Sequence, residues 1–206
     1  MEDADGIALL LVLMAIAIAW KVIDFWPNRL RPKRAAFIGE YQWPVGLLAK
    51  LKQKHPTLTQ DDTTLVSRAL KQFFKAHLAS GRKFVAMPSQ IVDELWHEFI
   101  LYTREYQQFC DQAFGRFMHH TPAAAMSPTT ARRIDDGLRR AWWFACKDEG
   151  IDPKEATRLP LLFELDGRLQ IPNGFRYDLD CSALQDTGVT GIHCAVDLVP
   201  RSCGSG

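Results

Sequence analysis

A long apolar run lies close to the N-terminus of this chain. Residues 6–20 read GIALLLVLMAIAIAW, and after Lys21 the apolar character continues as far as Trp26. A helix rises about 1.5 Å per residue, so about 20 residues cross a hydrocarbon core of about 30 Å. The stretch from Ile7 to Trp26 has that length. We therefore expect residues 1–26 to form a single transmembrane anchor.

The charges around this run predict whether it is cleaved and how it is oriented in the membrane. A cleaved signal peptide starts with basic residues and ends at small ones, whereas this chain starts with Glu2, Asp3 and Asp5. Basic residues stand only on the C-terminal side, at Arg29, Arg31, Lys33 and Arg34. The positive-inside rule then predicts a single-pass protein with its N-terminus outside and its C-terminal domain in the cytoplasm. In that reducing compartment the cysteines are expected as thiols or metal thiolates.

The amino-acid composition limits the class of protein to which the rest of the chain can belong. Hydrophobic residues make up 47% of the 206 residues and charged residues 24%, which is enough apolar material for a packed core. The net charge of +1 lacks the basic excess of a nucleic-acid binder, so no nucleic-acid partner is expected. Five cysteines are too few for a disulfide-built scaffold, and the odd number leaves at least one unpaired within the chain.

Capping and turn residues predict a mainly α-helical domain over residues 41–150, after a basic juxtamembrane linker at 27–40. The helix starts are marked by polar and proline residues, and the ends by glycines. The expected starts are Trp43-Pro44, Thr59 or Asp61, Pro88-Ser89, Thr103 and Ser127-Pro128, and the expected glycine ends are Gly81, Gly115 and Gly150. These short apolar-striped segments favour a helical bundle.

The pattern changes after Gly150. The segment LPLLFELDGRLQI holds Asp166-Gly167 between two apolar runs, which is typical of a β-hairpin turn. Beyond Pro172 glycine, serine, aspartate and threonine are frequent. For residues 151–206 we therefore expect a small β-hairpin followed by an irregular tail.

The candidate site lies in residues 91–122, IVDELWHEFILYTREYQQFCDQAFGRFMHHTP. Imidazole and thiolate side chains are the usual ligands of zinc and iron, and this stretch contains His97, Cys110, His119 and His120. Asp93 precedes His97 by four residues and so shares its helix face, where it would orient the imidazole or serve as a ligand itself. If these residues hold a metal, one transition-metal ion, zinc or iron, is the cofactor; otherwise none is expected.

The same residues also fit a site without metal. Cys110 falls on an apolar stripe with Tyr106 and Phe109, where a free cysteine behaves as a small hydrophobic residue. His97 could be a core histidine bonded to Asp93, and the spacing matches no zinc-finger signature. From the residues alone, a metal site, a structural polar network and a metal-free catalytic site all stay open.

The motif VDELWHEFILYTREYQQFC, followed by FGRFMHH, resembles that of the glycine-rich domain-containing protein-like family and of bacterial single-span proteins with a WH…FC…HH core. The matching residues are Asp93, Trp96, His97, Tyr106, Cys110 and Gly115. The resemblance covers about 32 of 206 residues and implies a helical domain without naming a reaction. The long Gly- and Cys-rich tail familiar in such proteins is reduced here to CGSG at 203–206.

Three functions follow as hypotheses. The first is a membrane-anchored helical binding or scaffold protein whose partners are the bilayer and a protein at the membrane. The second is a membrane-tethered metalloenzyme with His97, Cys110 and His119 or His120 as ligands, in which Asp93 or Glu94 would orient a ligand or act as general base. The third is a structural domain. No nucleotide-binding, serine-hydrolase or zincin motif is present.

A second metal site is a weaker candidate. Its ligands would be Cys181, His193, Cys194 and Cys203.

Overall fold

The computed structural model describes residues 31–81, 83–120, 129–179, 181 and 192–199, together with the single position Met14. Nearly the whole predicted anchor, residues 1–26, therefore lies outside the described residues. None of the helices in the described part of the chain is long and apolar enough to cross a bilayer.

The described chain is mainly helical, which confirms the predicted class. Residues 31–40 are helical (α1). The following helices are α2 (Leu47–Lys54), α3 (Gln60–Ala79), α4 (Gln90–Leu101), α5 (Thr103–Phe114), α6 (Thr129–Asp148) and α7 (Leu161–Arg168). Two three-residue strands, β1 (Arg176–Asp178) and β2 (Ile192–Cys194), precede a 3-10 turn at Ala195–Leu198.

Helix α3 is the centre of the core. It packs against α2, α4, α6 and α7. Its N-terminus is fixed by a capping box, in which the Thr59 side chain accepts from Asp62 N and the Asp62 side chain accepts from Thr59 N. Its fully buried Phe74 lies in an aromatic cluster with Phe109, whose ring centroid is 4.9 Å away. The predicted limits are confirmed at Thr59 and Ser89 and at the left-handed glycines Gly81, Gly115 and Gly150. Thr103 instead lies inside α5, α2 begins after Gly46, and Ser127-Pro128 lies outside the described residues.

The predicted basic linker is wrong for residues 31–40. These residues form α1, and Ile38 on its inner face is completely buried. Phe37 and Tyr41 extend the same contact, with ring centroids 5.8 and 4.8 Å from that of Phe109. Arg31 and Lys33 are exposed, whereas Arg34 is half-buried and donates to Phe114 O at 3.1 Å. The run of basic residues therefore concealed a helix that packs on the domain.

The predicted C-terminal β-hairpin is also wrong. Its Asp166-Gly167 dipeptide lies inside α7, where Leu162, Leu165 and Asp166 are buried at helical spacing. The strands that do form come later, and they pair in parallel, with Tyr177 opposite His193. A helix forms because its first backbone N–H groups find side-chain acceptors elsewhere in the fold. Glu149 accepts from Leu161 N, and Gln72 accepts from Leu162 N.

Candidate metal centre beside an apolar cavity

Helix α4 carries the first part of the site, and its start is unusually well secured. Ser89 is the N-cap and its hydroxyl accepts from Val92 N. Asp166 on α7 is 1% exposed and accepts from Ser89 Oγ, Gln90 N and Ile91 N at 2.7, 2.6 and 3.2 Å. A carboxylate at this position complements the positive end of the helix dipole. The helix that carries Asp93 and His97 is therefore anchored across the fold.

The second part of the site is the segment after α5. Gly115 ends α5 in the left-handed conformation and turns the chain back towards α4. The Tyr106 hydroxyl donates to Met118 O at 2.6 Å and accepts from Trp96 Nε1 at 3.1 Å. This buried connection fixes Met118 against α4, and it thereby sets the position of the adjacent His119 and His120.

Three of the predicted residues come together. Asp93 Oδ1 lies 3.0 Å from His120 Nε2, and Asp93 Oδ2 lies 3.6 Å from His97 Nδ1. The two imidazole centroids are 4.2 Å apart, and all three ligand atoms lie within 4.8 Å of one another. Two ligands at about 2.0–2.1 Å from a tetrahedral zinc ion are about 3.4 Å apart. The donor atoms therefore need only small movements to surround one ion.

Cys110 does not join this cluster. It is completely buried on the apolar face of α5, next to Phe109 and Ala113. Burial raises the pKa of its thiol, an effect partly offset by hydrogen bonding to the Met118 backbone and the Tyr106 side chain. Its contact with Met118 gives it a structural part in holding the segment that carries the histidines.

His119 also lies outside the cluster. Its exposed ring contacts Phe117, with centroids 4.8 Å apart. Of the adjacent histidines, His120 is thus the one that faces α4, because its ring packs edge-on against Trp96 at 4.6 Å. Glu94, considered as a general base, instead pairs with His55 at 2.7 Å on another side of α4.

A cavity of about 400 Å³ opens beside the cluster, and the sequence patterns did not indicate it. Asp93 and His120 lie in its wall together with aromatic and aliphatic side chains from α3, α4, α6 and β1. The wall depends on a close approach at Gly137, where an added Cβ would lie 2.8 Å from the Phe84 ring and 2.9 Å from Ala86 N. A helical glycine facing an apolar segment was the one signal in the sequence for this contact.

His77 also lines the cavity, as a neutral group. Burial, and secondly the nearby charge of Arg116, lower its pKa to about 4. Its ring packs edge-on against Phe114, with centroids 5.1 Å apart. The imidazole therefore offers the cavity polar atoms without a charge at neutral pH.

The weaker second metal site is not formed by the described residues. Cys181 and Cys194 form a disulfide, so the expectation of free thiols is wrong for these two. The parallel pairing brings β2 alongside β1 and puts the two sulfurs within bonding reach, which the irregular spacing in the sequence did not reveal. His193 instead contributes to the wall of the cavity, and Cys203 lies outside the described residues.

Fold and site together define a mainly helical domain with an Asp–His–His cluster at the edge of an apolar cavity. The chain belongs to the UCP032817-like family, whose model matches residues 33–198. That range runs from α1 to the end of the 3-10 turn and includes every residue of the cluster. No curated protein and no solved structure matches the chain. The resemblance to the glycine-rich domain-containing protein-like family is not addressed by these comparisons and stays a prediction.

Proposed function

We propose that this chain is a membrane-tethered metalloprotein that binds one divalent transition-metal ion through Asp93, His97 and His120. The observation that carries the proposal is the position of the Asp93 carboxylate, with one oxygen facing each imidazole at 3.0 and 3.6 Å. Two histidines and one carboxylate are a ligand set used for iron(II) and for catalytic zinc. Three protein ligands leave coordination positions open, which suits a catalytic site better than a closed structural one.

The alternative is a purely structural network in which Asp93 binds two histidines. It accounts for His120, whose nitrogen lies within hydrogen-bond distance of Asp93. It does not account for His97, because 3.6 Å is too long for a hydrogen bond and the side chain is 47% exposed. Its exposure leaves the His97 imidazole accessible to an ion from solution.

A scaffold function has less support. The most exposed large apolar side chains among the described residues are Val45 and Leu101, at 98% and 66%. Two such residues are ordinary on a protein surface and do not make a docking patch. The cavity at the cluster favours the metalloenzyme hypothesis, with Asp93 now a ligand in place of Cys110.

The test is elemental analysis of the full chain, purified in detergent without an affinity metal column and then incubated anaerobically with zinc or iron(II). We expect about one ion per chain, lost in His97→Ala and in Asp93→Asn. The matched control is His119→Ala, which removes the neighbouring imidazole outside the cluster and should retain the ion, as should Cys110→Ala. A folded wild-type chain that binds neither metal, or an equal loss in His119→Ala, would overturn the proposal.

The anchor and its orientation remain part of the proposal. The apolar run at 7–26 supports a single span, with the bilayer as partner. The basic residues after it favour a cytoplasmic domain, whereas the Cys181–Cys194 disulfide favours an oxidising compartment. A reporter fused after Gly206 decides between the two orientations: cytoplasmic activity supports the charge argument, and activity on the opposite side supports the disulfide.

A further inference from the structure

We propose that the cavity beside the cluster binds a small aromatic molecule that carries a single anionic oxygen donor for the metal ion. This inference rests on the proposed function and names the class of ligand that the same site would take. Three properties of the cavity carry it: its size, the chemistry of its wall and the balance of charge around it.

Size and wall composition fit an aromatic ring. The volume of about 400 Å³ lies at the lower end of the range for small-molecule sites. Ring-bearing side chains approach from three elements: Phe73 on α3, Trp96 on α4 and Tyr177 on β1. Aromatic side chains favour edge-to-face and offset contacts with another ring. Ile134 and Leu138 on α6 complete an apolar surface.

Charge restricts the polar part of the ligand. Among the described residues that line the cavity there is no lysine or arginine, and Asp93 is the sole carboxylate. A divalent ion on Asp93 would carry one net positive charge, which a single anionic oxygen neutralises. A phosphorylated ligand brings further negative charge, and the described wall offers it imidazoles but no guanidinium or ammonium group. A carboxylate, phenolate or hydroxamate attached to a ring satisfies both the metal and the wall.

The test compares two hydroxamates that present the same chelating group. The full chain, in phosphatidylcholine nanodiscs and loaded with zinc, is titrated by calorimetry with benzohydroxamic acid and with acetohydroxamic acid. We expect the benzo compound to bind at least tenfold more tightly, because only its ring reaches the apolar wall. His97→Ala, which removes the metal, should abolish binding of both compounds.

Filling the cavity provides the matched control. Leu138→Trp should reduce the affinity for benzohydroxamate to that for acetohydroxamate, while the zinc content and the acetohydroxamate affinity stay unchanged. Ile134→Trp, one turn earlier on α6, serves if the first variant does not fold. Zinc binding with equal affinities for the two probes would refute the ligand class and leave the metal site standing. Benzohydroxamate binding that persists in His97→Ala would refute the role of the metal in holding the ligand.

Discussion

Replacing Asp166 with alanine tests whether the helix that carries Asp93 and His97 is held from across the fold. Besides its three bonds to the first turn of α4, Asp166 accepts from Phe175 N at 2.9 Å. Each carboxylate oxygen therefore accepts two hydrogen bonds. The variant leaves the Ser89 hydroxyl and the Ile91 N–H group without their acceptor, and both residues are buried.

The cost can be worked out from these contacts. A buried donor that loses its partner costs about 1–3 kcal/mol, and a carboxylate at a helix N-terminus contributes about 0.5–1 kcal/mol through the dipole. Two buried donors without a hydrogen-bond partner, at about 1.5 kcal/mol each, together with the dipole contribution, give about 4 kcal/mol of lost stability. For a chain of this size that corresponds to a fall in Tm of about 8–16 °C. The N–H groups of Gln90 and Phe175 are not counted, because both residues are partly exposed and water can replace the carboxylate.

The assay is thermal unfolding of the full chain in detergent, followed by circular dichroism at 222 nm. Asp166→Asn should lose about half as much stability as Asp166→Ala. Its amide oxygen can still accept hydrogen bonds, whereas its NH2 group is itself a donor and cannot accept from the donors that it faces. Glu164→Gln on the same helix is the control, since its exposed pair with Arg168 is worth less than about 1 kcal/mol. A loss below about 1 kcal/mol in Asp166→Ala, or one equal to that of Glu164→Gln, would refute the reasoning.

Two further predictions concern groups outside the cluster. His77 has a folded-state pKa of about 4, below its unfolded value of about 6.5. As the pH falls, the unfolded chain therefore binds a proton before the folded chain does. The free energy of unfolding, which is at its full value above pH 6.5, should fall by about 3 kcal/mol as the pH is lowered to 4. Urea unfolding at several pH values should show this slope in the wild type and a weaker one in His77→Phe, and parallel slopes would contradict the prediction. Titration of thiols in denaturant should give two more thiols after reduction than before, because of the Cys181–Cys194 bond; Cys181→Ser with Cys194→Ser should remove that difference and cost about 3 kcal/mol. Equal thiol counts in the wild type would mean that the disulfide does not form.

The sequence predicted the parts of the fold that depend on local chemistry. Thr59, Ser89 and the glycines after α3, α5 and α6 mark helix limits because capping is a property of a few neighbouring residues. The failure at α7 has the opposite cause. The Asp166-Gly167 dipeptide has the composition of a turn, but polar groups of α7 bond to Gln72 and to the start of α4, which lie 75–90 residues away in the chain. Glu149, 12 residues from Leu161, accepts a further backbone N–H group of the same helix.

The candidate site likewise has one part that the sequence could predict and another that depends on tertiary packing. The pair of Asp93 and His97 follows from the helical repeat of four residues, so the sequence could place them on one face. The choice of His120 over His119, and the exclusion of Cys110, depend on how Tyr106 and Trp96 hold Met118. That arrangement is tertiary, and so is the cavity, which is formed by residues from six separate segments of the chain.

The packing of α1 onto the core limits how far the domain can stand from a bilayer. Only residues 27–30 separate the apolar run from Arg31, where the described helix starts. Even fully extended, four residues and their flanking bonds span at most about 18 Å. With the proposed anchor in place, the domain and its cavity stay in the neighbourhood of the lipid headgroups. Molecules that gather at the membrane surface, as amphiphilic aromatic acids do, would reach it at a higher local concentration than those dissolved in the bulk.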